Sequence, residues 1–102
     1  MALPLVFRRR VGEDLAAGYG WYEEQRVGLG EEFLGAVDAS FNAIEEFPEM
    51  FARVRGEVRR AMVSRFPYAV FFCIEPKRVV VLTVLHTARD PILWPQRRNK
   101  VH

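Results

Sequence analysis

Few residues in this chain are of types that carry chemistry, and most of them lie between Val58 and Asp90. Arg59, Arg60 and Arg65 precede two apolar runs, and His86 and Arg89 follow the second. Guanidinium groups hold phosphates or carboxylates in forked, charge-assisted bonds. Histidine is the side chain that exchanges a proton near neutral pH. An antiparallel sheet that set these groups on neighbouring strands would make a cationic surface for a polyanion or an acidic protein. Each also has a plainer role: the arginines as an exposed strand face pairing with Glu57 or the helical acids, His86 as a ring bonded to backbone at a sheet edge. Arg89-Asp90-Pro91 reads as a turn in which Asp90 orients Arg89, and Trp21, Phe66 and Trp94 read as core or layer-closing residues.

Other chemistries are set aside. Gly28-Leu29-Gly30 is followed by Phe33 where a dinucleotide fingerprint needs glycine, and no Walker-type loop occurs. His86, His102 and Cys73 offer no zinc spacing, so neither metal nor cofactor is expected. Ser40 and Ser64 sit in no nucleophile elbow. The acids of residues 13–49 fall mostly on solvent-facing helical positions rather than as a pair in a cleft. A small-molecule substrate is not expected.

The elements that position these groups follow from periodicity. Leu3 to Arg8 reads as a strand with Pro4 at its edge. Helical spacing runs from Val11 through Leu15, Tyr19, Tyr22 and Arg26, with Glu13 and Asp14 expected in the first turn. Gly28 suits a left-handed stop and Gly30 the start of the next helix. Phe33, Leu34, Val37, Phe41 and Ile44 then form one stripe, which Phe47-Pro48 ends. After Pro48 the period becomes two: Val58, Arg60 and Met62 share one face, Arg59, Ala61 and Val63 the other. Ser64 to Pro67 turns the chain, and Tyr68–Ile74 and Val79–Leu85 form a hairpin about Glu75-Pro76-Lys77-Arg78. The expected fold is α+β, an N-terminal strand, an α-helical hairpin and a mostly antiparallel three-strand segment (β–αα–βββ), as one domain over residues 1–102.

Composition agrees with a globular chain. Of 102 residues, 50% are hydrophobic and 27% charged. The single Cys73 excludes an intrachain disulfide and suits a reducing compartment. The first residues lack the order of a secretory signal, and no run reaches the roughly 18 apolar residues of a membrane span, so a cytoplasmic protein without a membrane partner is expected. The net charge of +2 conceals an asymmetry: residues 1–50 hold four Arg/Lys against ten Asp/Glu, and residues 51–102 hold eleven against three. Such a dipolar chain steers an anionic partner to its C-terminal half.

Taken in order, Trp21-Tyr22-Glu23-Glu24-Gln25, Gly28-Leu29-Gly30 with Phe33, Pro48, Val58-Arg59-Arg60, Phe66-Pro67-Tyr68 and His86…Arg89-Asp90-Pro91…Trp94 resemble the RelE/ParE toxin superfamily of type II toxin–antitoxin systems. The resemblance implies that family's β–αα–βββ fold and a small toxin held inactive by a cognate acidic antitoxin. The RelE-like branch cuts mRNA on the ribosome with sheet lysines and arginines and a tyrosine near the C-terminus. Here residues 51–76 contain no lysine, and Trp94 stands about where that tyrosine would be. The closing His86-Thr87-Ala88-Arg89-Asp90 looks more like the ParE-like branch, which implies DNA gyrase as the target, reached by protein–protein contact. Antitoxin or target contacts would then come from Arg59, Arg60, Arg65, Phe66, Arg89 and Trp94. Two alternatives are a ribosome-dependent endoribonuclease with His86 as acid or base and Arg60, Arg65 and Arg89 as cations, and a non-toxic plasmid-stabilisation protein that only binds its antitoxin.

Overall fold

The computed structural model describes residues 3–89. A short strand β1 (Leu5–Phe7) leads into α1 (Arg9–Gln25) and α2 (Leu29–Glu46), then a 3₁₀ turn (Pro48–Met50) and strands β2 (Arg53–Arg55), β3 (Val58–Met62), β4 (Tyr68–Glu75) and β5 (Arg78–His86). The sheet order is β1-β5-β4-β3-β2, with β1 parallel to β5 and the other pairs antiparallel. The fold is α+β, as expected, but four strands follow the hairpin rather than three. The additional β2 is Arg-Val-Arg, too short for its alternation to stand out, and it pairs only with Val58 and Arg59. No helix among the described residues is long and apolar enough to cross a membrane.

The helical hairpin forms where periodicity puts it, with two shifts. Helix α1 starts at Arg9, so its first turn holds no acid and Glu13 and Asp14 lie deeper in the helix. Helix α2 starts at Leu29, so Gly30 lies inside it. Gly28 turns the chain at φ 92°, a left-handed geometry that costs a residue with a Cβ more than glycine. The Glu23 carboxylate accepts the Gly28 and Gly30 N–H groups, each at 3.0 Å, and so satisfies donors at the start of α2 from the end of α1. Gly18 weakens α1 as a helix former but allows the two helices to close: a Cβ there would stand 2.6 Å from the Phe33 ring.

The α2 stripe meets the sheet as its spacing requires. Phe33, Val37 and Ile44 are buried against Ala61 and Val63, against Tyr68, Val70 and Phe72 of β4, and against Val79, Val81 and Val84 of β5. Alternation along β5 skips a residue: Phe71 pairs with Thr83 but Phe72 pairs with Val81, so Leu82 is a bulge. Beyond it the inward set becomes Val84 and His86. At the centre of the layer, the rings of Tyr22, Phe33, Phe66 and Tyr68 stand 4.8–6.1 Å apart between centroids. Such tilted and edge-on pairs add to area burial. On the far face of the sheet Ala69, Phe71 and Val80 are also buried, so β4 is closed on both sides.

Candidate functional site

The candidate residues do not converge on one surface. Strand β4 lies between β3 and β5, so Arg60 and His86 are not on neighbouring strands. They also face opposite ways. His86 pairs in register with Tyr68, whose ring joins the helix-side core. Arg60 pairs with Phe71, which alternates to the far face. An acid–base group and cations gathered on a single sheet surface are therefore not formed by His86 with Arg60. The bulge at Leu82 is the cause, since it reverses the parity of β5 before His86.

Arg59 and Arg60 separate as strand alternation demands. The Arg59 guanidinium donates to the carbonyl oxygens of Phe51 (2.6 Å) and Glu49 (3.4 Å), tying the 3₁₀ turn and its exit to β3. That arrangement makes Arg59 a structural clamp. Arg65 is exposed and takes φ 71°, the left-handed corner of the turn before β4, with its guanidinium 5.8 Å from the Phe66 ring centroid. Phe66, expected as a contact for a partner, is only 8% exposed and sits among Tyr22 and Phe33, so its ring serves the core. Trp21, expected inside, is 58% exposed. Arg89 closes a 3₁₀ turn (Thr87–Arg89), and Asp90, Pro91 and Trp94 lie outside the described residues.

His86 lines a cleft of about 310 Å³ between α1 and the end of the sheet, together with Arg10, Asp14, Trp21 and Tyr68. Its ring stands edge-on to Tyr68 at 5.2 Å. The Ala88 N–H donates to His86 Nδ1 at 3.0 Å, which fixes the ring against backbone and leaves Nε2 as the other nitrogen. Asp14 dominates the cleft's polar wiring. Strand β1 pairs with β5 only as far as Val81, and beyond that point the Asp14 carboxylate accepts the Thr83 hydroxyl and, at 2.9 Å, the Val84 N–H. Arg10 stands 3.7 Å from the other carboxylate oxygen. Asp14 thus closes a strand edge where the neighbouring strand has ended. Its signal in the sequence is an acid at the edge of the apolar stripe of α1, one turn after Arg10 and one turn before Gly18.

The remaining ionisable groups point to structure. Burial, then the Tyr68 phenol, pushes the Tyr22 hydroxyl up from its ordinary value. The Glu23 carboxylate, with burial and Glu31, does the same for Tyr19. Burial raises the Cys73 thiol, and Glu75 and Glu57 add to it. No group of three His, Cys, Asp or Glu among the described residues is placed to hold a metal ion.

A further groove, about 170 Å³, runs between α2 and β3. Ala36, Ala39, Ser40 and Ala43 form its helix wall, with Phe51, Ala61 and Met62 opposite. Met62, Phe47 and Met50 are 54%, 56% and 67% exposed. Short side chains leave the helix wall low, and β2 ends before it can cover Ala61 and Met62.

The described fold has known counterparts. A chain of the chromosomal ParDE toxin–antitoxin system from P. aeruginosa superposes with a TM-score of 0.74 at 17% identity, over 83% of this chain and 96% of that one. No curated protein matches the sequence. The model of the family described as ParE toxin of type II toxin–antitoxin system, parDE, matches residues 5–91. With nearly the whole described chain inside that match, the protein belongs to the ParE toxin family of type II toxin–antitoxin systems.

Proposed function

We propose that this chain is the toxin of a two-protein module, is neutralised by an acidic antitoxin, and acts on DNA gyrase by protein–protein contact. The observation that supports contact over catalysis is the placement of His86 and Arg60 on opposite faces of β4. RNA cleavage by 2′-hydroxyl attack needs a base, an acid and cations around one phosphate, and this pair cannot share one.

The antitoxin's seat on this reading is the β3 side of the molecule. On the far face of the sheet β3 presents half-buried Arg60, and on the helix side the groove against α2 opens beside Ser64 and the exposed Arg65. Met62, Phe47 and Met50 offer apolar anchors beside it. Apolar anchors carry most binding energy, whereas rim charges set association rate and specificity. An acidic, amphipathic antitoxin segment matches both demands. Arg89 and Trp94 belong to the same proposal as further contacts.

Induced expression without the antitoxin should arrest growth, and the purified protein should stall supercoiling by gyrase. Normal supercoiling at saturating protein, with growth arrest intact, removes gyrase as the target. New mRNA ends phased to the ribosomal A site would instead establish the endoribonuclease.

A further inference from the structure

The acidic helices carry a second groove, over the outer edge of the core and away from the proposed antitoxin seat. About 410 Å³ in volume, it is lined by Leu15 of α1 and by Leu34, Val37 and Phe41 of α2, with Glu31 and Asp38 on its border and Gly35 beside them. At 100° per residue, these α2 positions lie on the opposite flank of the helix from Ala36, Ser40 and Ala43. The apolar floor continues beyond Phe41 to Phe7, whose ring stands 5.0 Å from Phe41's and is 50% exposed.

Charge distinguishes this groove. Glu31, Asp38 and Glu45 recur every seven residues, which sets them in one row along the solvent edge of Leu34 and Phe41. No cation among the described residues lines the groove. Among the described residues none forms an ion pair with Asp38 or Glu45. A solvated helix face needs no half-exposed Leu, Phe and Phe beside its acids, and an acidic antitoxin segment is repelled from it. The complementary occupant carries lysines or arginines alongside an apolar stripe.

We propose that this groove is the docking surface for a basic amphipathic segment of the protein on which the toxin acts, separate from the antitoxin's seat on the β3 side. The inference rests on the reading that the chain works by protein contact. Two faces so divided let the antitoxin silence the toxin by covering or blocking the approach of a larger target, without competing for the same residues.

Two substitutions test it without touching the core. A Cβ at residue 35 would meet no atom within 4 Å, so Gly35→Trp fills the groove and replaces a poor helix former. Asp38→Lys reverses the row at its centre. The probe is a helical peptide of leucines and lysines in amphipathic order, with a leucine–glutamate peptide as control, titrated into isotope-labelled full-length protein. The lysine peptide should shift the amide signals of Leu15, Leu34, Asp38 and Phe41, and the glutamate peptide should not. Each substitution should weaken the lysine peptide by roughly tenfold or more, since it removes a central anchor site or a facing charge. No shifts, or shifts confined to the sheet, overturn the groove as a basic-segment site. In cells, both variants should lose growth arrest while binding the antitoxin as tightly as the parent. Retained arrest in both overturns the assignment to the target, and lost antitoxin binding gives the groove to the antitoxin instead. Should the parent protein itself fail to arrest growth, the toxin reading falls, and the peptide titration still decides the groove.

Discussion

On the helix side of β4, Tyr68, Val70 and Phe72 pack into a layer of rings and valines under two helices. On its other side Ala69 and Phe71 are also buried but lie under no helix of the described residues, beside Arg60 and the exposed Met62. The same strand therefore separates two kinds of surface. Cohesion is concentrated on one side, where side chains from both helices and three strands interlock. On the reading proposed above, partner contacts fall to the other side and to the flanks of α2. A substitution should act on folding or on association according to which side it touches.

The largest effect expected from that division is on the core. Phe72→Ala should destabilise by about 3–5 kcal/mol, because a fully buried ring is lost and its site cannot collapse. Phe71→Ala should cost at least about 1 kcal/mol less, since fewer layers close over it. Urea unfolding of the two variants compares the faces directly, and equal costs would break the distinction. Asp14→Ala comes next, at about 1–3 kcal/mol, because it strips the Thr83 hydroxyl and Val84 N–H of their acceptor. Faster amide exchange at Val84 than at Val81 would locate that loss at the uncovered edge.

Arg59 and Arg60 sharpen the comparison further. Arg59→Ala should cost about 1 kcal/mol by releasing the Phe51 and Glu49 carbonyls, with little change in antitoxin association. Arg60→Glu should slow antitoxin association and flatten its salt dependence. Stopped-flow rates at low and high salt decide this, and an unchanged rate with an unchanged slope places the antitoxin elsewhere. The smallest effect is at Cys73, where burial raises the thiol. Less thiolate forms at a given pH than in an exposed cysteine, so iodoacetamide should label it a few-fold more slowly at pH 8 and catch up as pH rises.

What could be read from the sequence was local. The stripe Phe33-Val37-Ile44, the Gly28 stop and the β4–β5 hairpin each follow from spacing within one or two elements. Strand parity even sent Arg59 and Arg60 to opposite faces. The reading failed where position depends on a distant partner. Whether His86 and Arg60 sit on adjacent strands is a matter of sheet order, and a bulge inside a run of Val, Leu and Thr leaves no mark in composition. Strand β2 escaped because three residues, although they alternate, are too few to establish a period. Of the site candidates, Phe66 carries two readings, core residue and partner contact, and only the closing of α1 and α2 over its ring decides for the core. Asp14 reads in the sequence only as a first-turn acid, because its bond partners lie on distant β5.

The parallel pairing of β1 with β5 has a consequence for the order in which a nascent chain becomes active. Leu5 finds its partner only in Val79, on the last strand of the sheet to be made. The helical hairpin is local and can form while synthesis continues, yet the edge of the sheet stays unfinished until β5 emerges. Asp14 likewise waits for Thr83 and Val84. A ribosome stalled before β5 would hold a hairpin without its floor, and not a partly working toxin. The interval between the first helix and the last strand is thus a delay in which most of the chain has been made but its sheet is still open at one edge.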